Sequence, residues 1–135
     1  MIHLVMNSDG GSRGNPGPAA IGVVVYDEAG KELTRLQKTI GTTTNNQAEY
    51  QAVVMGLEWI LTCYQDTIVD CRLDSELVVK QLQGKYKMKN VELKPWFNRI
   101  HELVGSLGGQ VTFQHVFRTQ NKLADQLVNE VLDAR

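Results

Sequence analysis

Strand-like segments fill most of the first forty residues, and each later strand-like segment is preceded by a helical one. Segments 2–7, 20–26 and 31–40 are apolar or β-branched and predict three strands, and an acidic, glycine-ended turn at 27–30 predicts a hairpin between the last two. Segments 67–73 and 110–116 predict two more strands. Helical patterns occupy residues 48–61, 76–82, 96–107 and 121–132.

The resulting order is β-β-β-α-β-α-α-β-α. Strand–helix–strand connections are almost always right-handed crossovers between parallel strands, so the first and fourth strands are expected to be parallel neighbours. The opening three strands predict an antiparallel meander. We therefore predict a single α/β domain over residues 1–135, built on a five-stranded mixed sheet with helices on both faces.

Composition narrows the classes of function. The 135 residues include 42% apolar and 21% charged side chains, which excludes a disordered tail or a coiled coil. The net charge is −1, so a polyanion can bind only at a local patch. Two isolated cysteines, Cys63 and Cys71, suit neither a disulfide framework nor a zinc site, and both are predicted to be buried thiols. No signal peptide or membrane-spanning stretch is recognisable, so a cytoplasmic protein without a membrane partner is expected.

Four acidic residues occur beside the core, at the predicted junctions between elements. Asp9 and Asp74 end the first and fourth strands, and Glu49 and Asp125 lie in the first turns of the first and last helices. If the two strands are parallel neighbours, Asp9 and Asp74 lie side by side at the carboxyl edge of the sheet, where open α/β sheets bind ligands. Each acid alone also has an ordinary explanation, as a partner of a helix dipole or as a turn residue.

Converging carboxylates repel one another unless cations occupy the site. Oxygen ligands in this number favour Mg²⁺ or Mn²⁺ over zinc, which prefers nitrogen and sulfur. Two such ions about 4 Å apart can stabilise the attacking and leaving oxygens of an in-line phosphoryl displacement. No serine or cysteine has a histidine–acid pair nearby, so no protein nucleophile is indicated.

The sequence around these acids resembles the type 1 ribonuclease H family. The resemblance rests on four motifs, D-G-G-S-R-G-N-P-G-P-A-A (9–20), T-T-N-N-Q-A-E (43–49), L-D-S (73–75) and N-K-L-A-D (121–125). A lone D-G-G would be weak evidence, whereas four motifs in order and register are specific. The resemblance extends from residue 4 to about residue 132 and implies a ribonuclease H-like fold in its compact form, without a separate hybrid-binding domain.

The resemblance also implies an activity. It is that of a metal-dependent endonuclease that hydrolyses the RNA strand of RNA–DNA hybrids and leaves 5′-phosphate and 3′-hydroxyl ends. Two Mg²⁺ or Mn²⁺ ions would be present with substrate bound. Asp9 would anchor both ions, Glu49 and Asp74 would be further ligands, and Asp125 would hold the ion that activates water. No obligate protein partner is indicated.

Candidate substrate contacts lie in three segments. The glycine-rich stretch Gly10, Gly11, Ser12 and Arg13 lets backbone groups approach the minor groove, where RNA presents its 2′-hydroxyls. Candidate groove-facing amides are Asn15, Asn46 and Gln47, and the family's pocket for a DNA-strand phosphate resembles Thr44 and Asn45. Helix capping is the alternative role for Asn45 and Asn46, and the two roles can coexist.

A basic segment, residues 80–99, carries a local charge of +5. Its Lys85, Lys87 and Lys89 are predicted to contact phosphates, where several relatives have a longer basic segment. The alternative is a merely solvated face.

The loop before the last acid departs from many bacterial members of the family, which carry a histidine there. Here His115 falls on the strand and is predicted to be a structural hydrogen-bonding residue. Arg118 resembles the residue that compact members use instead, near the scissile phosphate, and a surface salt bridge is its alternative role.

Three rival functions have sequence tests of their own. Loss of an acid would indicate a non-cutting hybrid-binding or accessory domain, but all four acids are present. The T-N-N-x-x-E stretch and the glycine-rich loop disfavour a DNA nuclease or integrase of the same superfold. A small-molecule phosphotransferase is disfavoured because no G-x-x-x-x-G-K-[ST] loop occurs.

Overall fold

The computed structural model describes residues 1–135, and its elements follow the predicted order. One sheet contains five strands, β1 (Ile2–Ser12), β2 (Gly17–Asp27), β3 (Glu32–Thr43), β4 (Thr67–Leu73) and β5 (Val111–His115). The helices are α1 (Asn45–Cys63), α2 (Glu76–Leu82), α3 (Lys94–Ser106) and α4 (Lys122–Asp133), and a 3₁₀ turn at Arg118–Gln120 precedes α4. None of the helices combines the length and the apolar character that crossing a membrane requires.

The strand order is β3-β2-β1-β4-β5. β1 runs antiparallel to β2 and parallel to β4, while β2 and β3 pair antiparallel and β4 and β5 pair parallel. The predicted mixed sheet, with its first and fourth strands as parallel neighbours, is therefore confirmed.

Helices cover both faces of the sheet. The larger core is a cluster of 22 buried residues that lies between the sheet and the helices α1 to α3. On the other face α4 packs against β2, β1 and β3. Successive side chains of β2 point to opposite faces of the sheet. Ile21 and Val23 therefore belong to the larger core, whereas Ala20 contacts Val128 of α4 on the other face.

β1 is longer than the sequence predicts. The sequence pattern predicts that the strand ends near Asp9 and that residues 9–18 form a loop. In the structure, pairing with β2 continues, because Gly11 pairs with Ala20 and Ser12 with Ala19. The glycines there make room for neighbouring backbone instead of forming a long turn. A Cβ atom on Gly10 would lie 2.3 Å from the carbonyl carbon of Ala48, and one on Gly17 would lie 2.1 Å from the carbonyl oxygen of Arg13.

α1 packs closely on β1. A Cβ atom on Gly56 would lie 2.3 Å from Sδ of Met6, so the helix backbone comes very near the strand at this point as well as at Gly10. The helix ends at Cys63, three residues after its last buried residue, Ile60. The prediction of two buried cysteines is therefore wrong for Cys63, which is exposed, and confirmed for Cys71.

Candidate active site

Asp9 and Asp74 lie side by side because of the pairing of β1 with β4. The last pair of these parallel strands joins Asn7 of β1 to Arg72 of β4. Asp9 comes two residues after Asn7, and Asp74 comes two residues after Arg72. Asp9 lies inside β1 and is buried, while Asp74 follows the last residue of β4, Leu73. The prediction that strand topology brings these two acids together is confirmed, although Asp9 does not end its strand.

Glu49 reaches the same place from α1. The close approach of the helix to Gly10 lets Oε1 of Glu49 accept a hydrogen bond of 2.9 Å from the Gly10 N–H. The other carboxylate oxygen of Glu49, Oε2, is buried and has no hydrogen-bond partner. Oδ2 of Asp74 is also buried without a hydrogen-bond partner. Buried polar atoms are rarely left unpaired, so these two oxygens mark a place where a ligand is expected.

The three carboxylates form a cluster in which one oxygen from each lies within 4.8 Å of the others. Burial raises the pKa of Asp9 to about 7, and the charges of Asp74 and Asp125 add to this effect while the neighbouring Glu49 carboxyl group opposes it. Burial, followed by the charge of Asp9, raises the pKa of Glu49 well above its usual value. Burial also raises the pKa of Asp74, and the charge of Arg118 opposes this rise. The cluster therefore holds negative charge poorly by itself.

Asp125 lies in the first turn of α4 and lines the same cavity of about 480 Å³ as the three clustered acids. It is not a member of the group whose oxygens all lie within 4.8 Å of one another. All four predicted acids thus border one cavity, with Asp125 on the side of α4.

Arg118 stands at the edge of this cavity. Its Nε lies 4.0 Å from Oδ2 of Asp74, and its side chain is 80% exposed, so it remains available to an anion. His115 does not line the cavity and makes no side-chain hydrogen bond. Its ring packs edge-on against that of Phe117, with the ring centroids 5.9 Å apart. The predicted hydrogen-bonding role of His115 is therefore wrong, because this last residue of β5 is exposed to solvent.

The predicted groove contacts divide into two groups. The cavity is lined by Gly10, Gly11, Ser12, Arg13, Asn45 and Asn46. Asn45 ties the hairpin between β1 and β2 to α1, because its Oδ1 accepts hydrogen bonds from the N–H and Oγ of Ser12 at 2.8 and 3.1 Å. Asn46 makes no side-chain hydrogen bond, so its amide is free to contact a ligand.

The other three polar candidates lie outside the lining of the cavity. Asn15 accepts a hydrogen bond from the Asn45 N–H at 3.0 Å. Thr44 caps α1, with its hydroxyl accepting from the Gln47 N–H at 3.2 Å, so capping falls to this residue and not to Asn45 or Asn46. The Gln47 side chain donates to Glu92 at 3.0 Å, a contact that no sequence pattern indicates.

Lys85, Lys87 and Lys89 are exposed, lie outside the cavity lining and take part in no ion pair. Two other cations of the basic segment are paired, Lys80 with Glu76 and Arg99 with Glu58. The unpaired positive charge of this segment is therefore concentrated on the residues between α2 and the start of α3.

Known proteins resemble this chain along most of its length. A family profile described as "Reverse transcriptase-like" matches residues 7–131. The structure of LC11-RNase H1, isolated from compost by a metagenomic approach, is similar with a TM-score of 0.93 and 44% identity, over 99% of this chain and 98% of that chain. The ribonuclease HI of Halobacterium salinarum is 42% identical over 125 residues, which are 93% of this chain and 62% of that protein.

The chain belongs to the type 1 ribonuclease H family. The predicted family and the predicted fold are both confirmed. A bifunctional protein of Mycobacterium tuberculosis is 36% identical over 98% of this chain, and the match spans only 36% of that protein's length. LC11-RNase H1 has also been crystallised in complex with an RNA/DNA hybrid.

Proposed function

We propose that this chain is a divalent-metal-dependent endonuclease that hydrolyses the RNA strand of RNA–DNA hybrids, leaving 5′-phosphate and 3′-hydroxyl ends. The observation that carries the proposal is the cluster of Asp9, Glu49 and Asp74, with one oxygen of each within 4.8 Å of the others on the wall of an open cavity. Membership of the ribonuclease H family supports the substrate class, and a relative 43% identical binds an RNA/DNA hybrid.

The residues present fit a divalent metal. The donor set consists of carboxylate oxygens, which Mg²⁺ and Mn²⁺ prefer, and two of those oxygens are buried without a partner. We infer that Asp9, Glu49 and Asp74 hold two such ions when substrate is bound, with Asp125 contributing from α4. Ions in such a site supply Lewis-acid stabilisation of the charge that develops during in-line phosphoryl displacement.

The rest of the site supplies binding and orientation. The free amide of Asn46 and the backbone of Gly10, Gly11 and Ser12 border the cavity, where they can contact minor-groove 2′-hydroxyls. Arg118 also lines the cavity and can pair with a phosphate, and the unpaired lysines between α2 and α3 can contact the nucleic-acid backbone outside it. A cytoplasmic location and the lack of an obligate protein partner stay predictions.

A substrate panel tests this proposal. End-labelled RNA–DNA hybrid, duplex DNA and duplex RNA are each incubated with Mg²⁺, Mn²⁺ or EDTA. We expect cleavage of the RNA strand of the hybrid alone, dependent on metal. A hybrid that binds but stays intact with either metal would favour the non-cutting accessory domain, and cleavage of duplex DNA would favour a DNA nuclease of the same superfold.

A further inference from the structure

Asn121 is a buried polar residue at the junction between the 3₁₀ turn and α4. Only 1% of its surface is exposed, although asparagine is usually found on protein surfaces. Burying an amide is unfavourable unless hydrogen bonds replace those it made with water. Its Oδ1 has no such partner, so packing alone does not account for the choice of residue.

The contacts of Asn121 link three parts of the candidate active site. Its Nδ2 donates a hydrogen bond of 2.9 Å to the carbonyl oxygen of Ser8, the residue directly before Asp9 in β1. Its backbone N–H donates to the carbonyl of Arg118 at 2.9 Å, and its own carbonyl accepts from the Asp125 N–H at 3.1 Å. The same side-chain amide lies beside Asp74 and lowers the pKa of that carboxyl group.

The four acids are not held in place in the same way. Backbone pairing between β1 and β4 fixes Asp9 relative to Asp74, and the Gly10 contact fixes Glu49. No strand pairing acts on Asp125, because it lies on α4. The other polar links from α4 to the sheet or its hairpin are those of Gln37 to the Leu127 carbonyl and the Glu130 carboxylate and that of Arg13 to Asp133, all farther along the helix.

We propose that Asn121 is a positioning residue, which sets Asp125 and Arg118 at their places relative to Asp9 and Asp74. This inference rests on the proposed function. Residues that orient metal-binding carboxylates without touching the metal commonly change metal affinity or activity by about 10–100-fold when replaced.

The test compares Asn121→Ala with Gln37→Ala as a matched control. Gln37→Ala also removes amide hydrogen bonds to α4, of 3.0 Å to the Leu127 carbonyl and 3.4 Å to Glu130 Oε2, and Gln37 does not line the cavity. Both proteins are assayed for kcat and KM on an RNA–DNA hybrid at a temperature where each is folded. In addition, Tm is measured while Mn²⁺ is titrated in the absence of hybrid.

For Asn121→Ala we expect kcat to fall by about tenfold or more with little change in KM, and half of the Mn²⁺-dependent rise in Tm to require a higher Mn²⁺ concentration. For Gln37→Ala we expect a loss of Tm with kcat and the Mn²⁺ requirement close to those of wild type. Equal kcat and Mn²⁺ requirement in the two variants would overturn the proposal, because Asn121 would then serve only the fold.

Asn121→Ser gives a second chance of a folded variant, and failure of both Asn121 variants to fold would also overturn the positioning role. The Mn²⁺ titration keeps this inference separate from the proposed function. If wild type does not cut hybrids, the activity proposal fails, yet the titration still reports whether Asn121 organises the carboxylate cluster.

Discussion

Gly10 sets the distance between α1 and the carboxylate cluster. A Cβ atom at this position would lie 2.3 Å from the backbone of Ala48, so Gly10→Ala has to push the helix away from β1. We expect a loss of about 3 kcal/mol in the free energy of unfolding, because overpacking a core commonly costs this much. Hybrid cleavage should fall as well, since Glu49 moves with the helix. Urea denaturation and a cleavage assay measure the two effects.

Gly11→Ala is the control for this change. A Cβ atom there has nothing nearer than 3.9 Å, so stability should stay near that of wild type. Equal destabilisation by the two substitutions would show that the close approach at Gly10 is unimportant.

The pKa of Asp9 makes the stability of the metal-free protein depend on pH. Burial raises this pKa from 3.8 to about 7, so the folded state binds the proton more tightly than the unfolded state does between those values. The free energy of unfolding in EDTA should therefore fall as pH rises from 5 to 8, by at most about 1.4 kcal/mol per pH unit for this group. Urea denaturation at both pH values tests this, and stability that rises with pH over this range would contradict it.

Asp74→Asn should stabilise the metal-free protein. The substitution removes one buried charge from a cluster in which the pKa values of three acids are raised. A capping role cannot oppose this gain, because the side chain that caps α2 is Ser75, which accepts from the Val78 N–H. We expect a higher Tm than wild type in EDTA and a smaller rise with Mn²⁺, whereas loss of an ordinary structural aspartate lowers Tm.

At the scale of elements, the segment between α2 and α3 gives a prediction about substrate binding. Replacing Lys85, Lys87 and Lys89 together by alanine should raise KM more than it lowers kcat, because phosphate contacts contribute mostly uniform binding. The log–log dependence of KM on salt should flatten by about 0.7–0.9 for each lost contact. The double substitution Lys31→Ala and Lys38→Ala, outside this segment, serves as the charge control. An unchanged slope in the triple variant would indicate a merely solvated face.

Most elements were predictable because periodicity reports which face of a segment is buried. The five strands and the four helices appear in the predicted order, within a few residues at most ends. The extension of β1 through Ser12 was missed because its glycines have the composition of a turn. Glycine is needed at positions 10 and 17 because the backbone of α1 and of the hairpin lies too close for a Cβ atom, and no local sequence pattern reveals this.

At the scale of the whole molecule, the site is the place where four elements meet. That Asp9 and Asp74 converge was predictable, because parallel strands bring their carboxyl ends to one edge of a sheet. The contacts of Asn121 with Ser8 and of Gln47 with Glu92 were not, since side-chain amides here bond to residues 113 and 45 positions away in the chain. An asparagine directly before the last helix is the one sequence signal, and helix capping would explain it equally well.

Single-turnover cleavage of an RNA–DNA hybrid by Asp9→Asn in millimolar Mn²⁺ tests most directly whether the carboxylate cluster is the catalytic centre. The substitution keeps the volume of the side chain and removes the charge that Glu49 and Asp74 surround. With an unchanged circular dichroism spectrum, the cleavage rate should fall by at least about a hundredfold relative to wild type. A folded Asp9→Asn protein that retains about a tenth of the wild-type rate or more would contradict the assignment of this cluster as the catalytic centre.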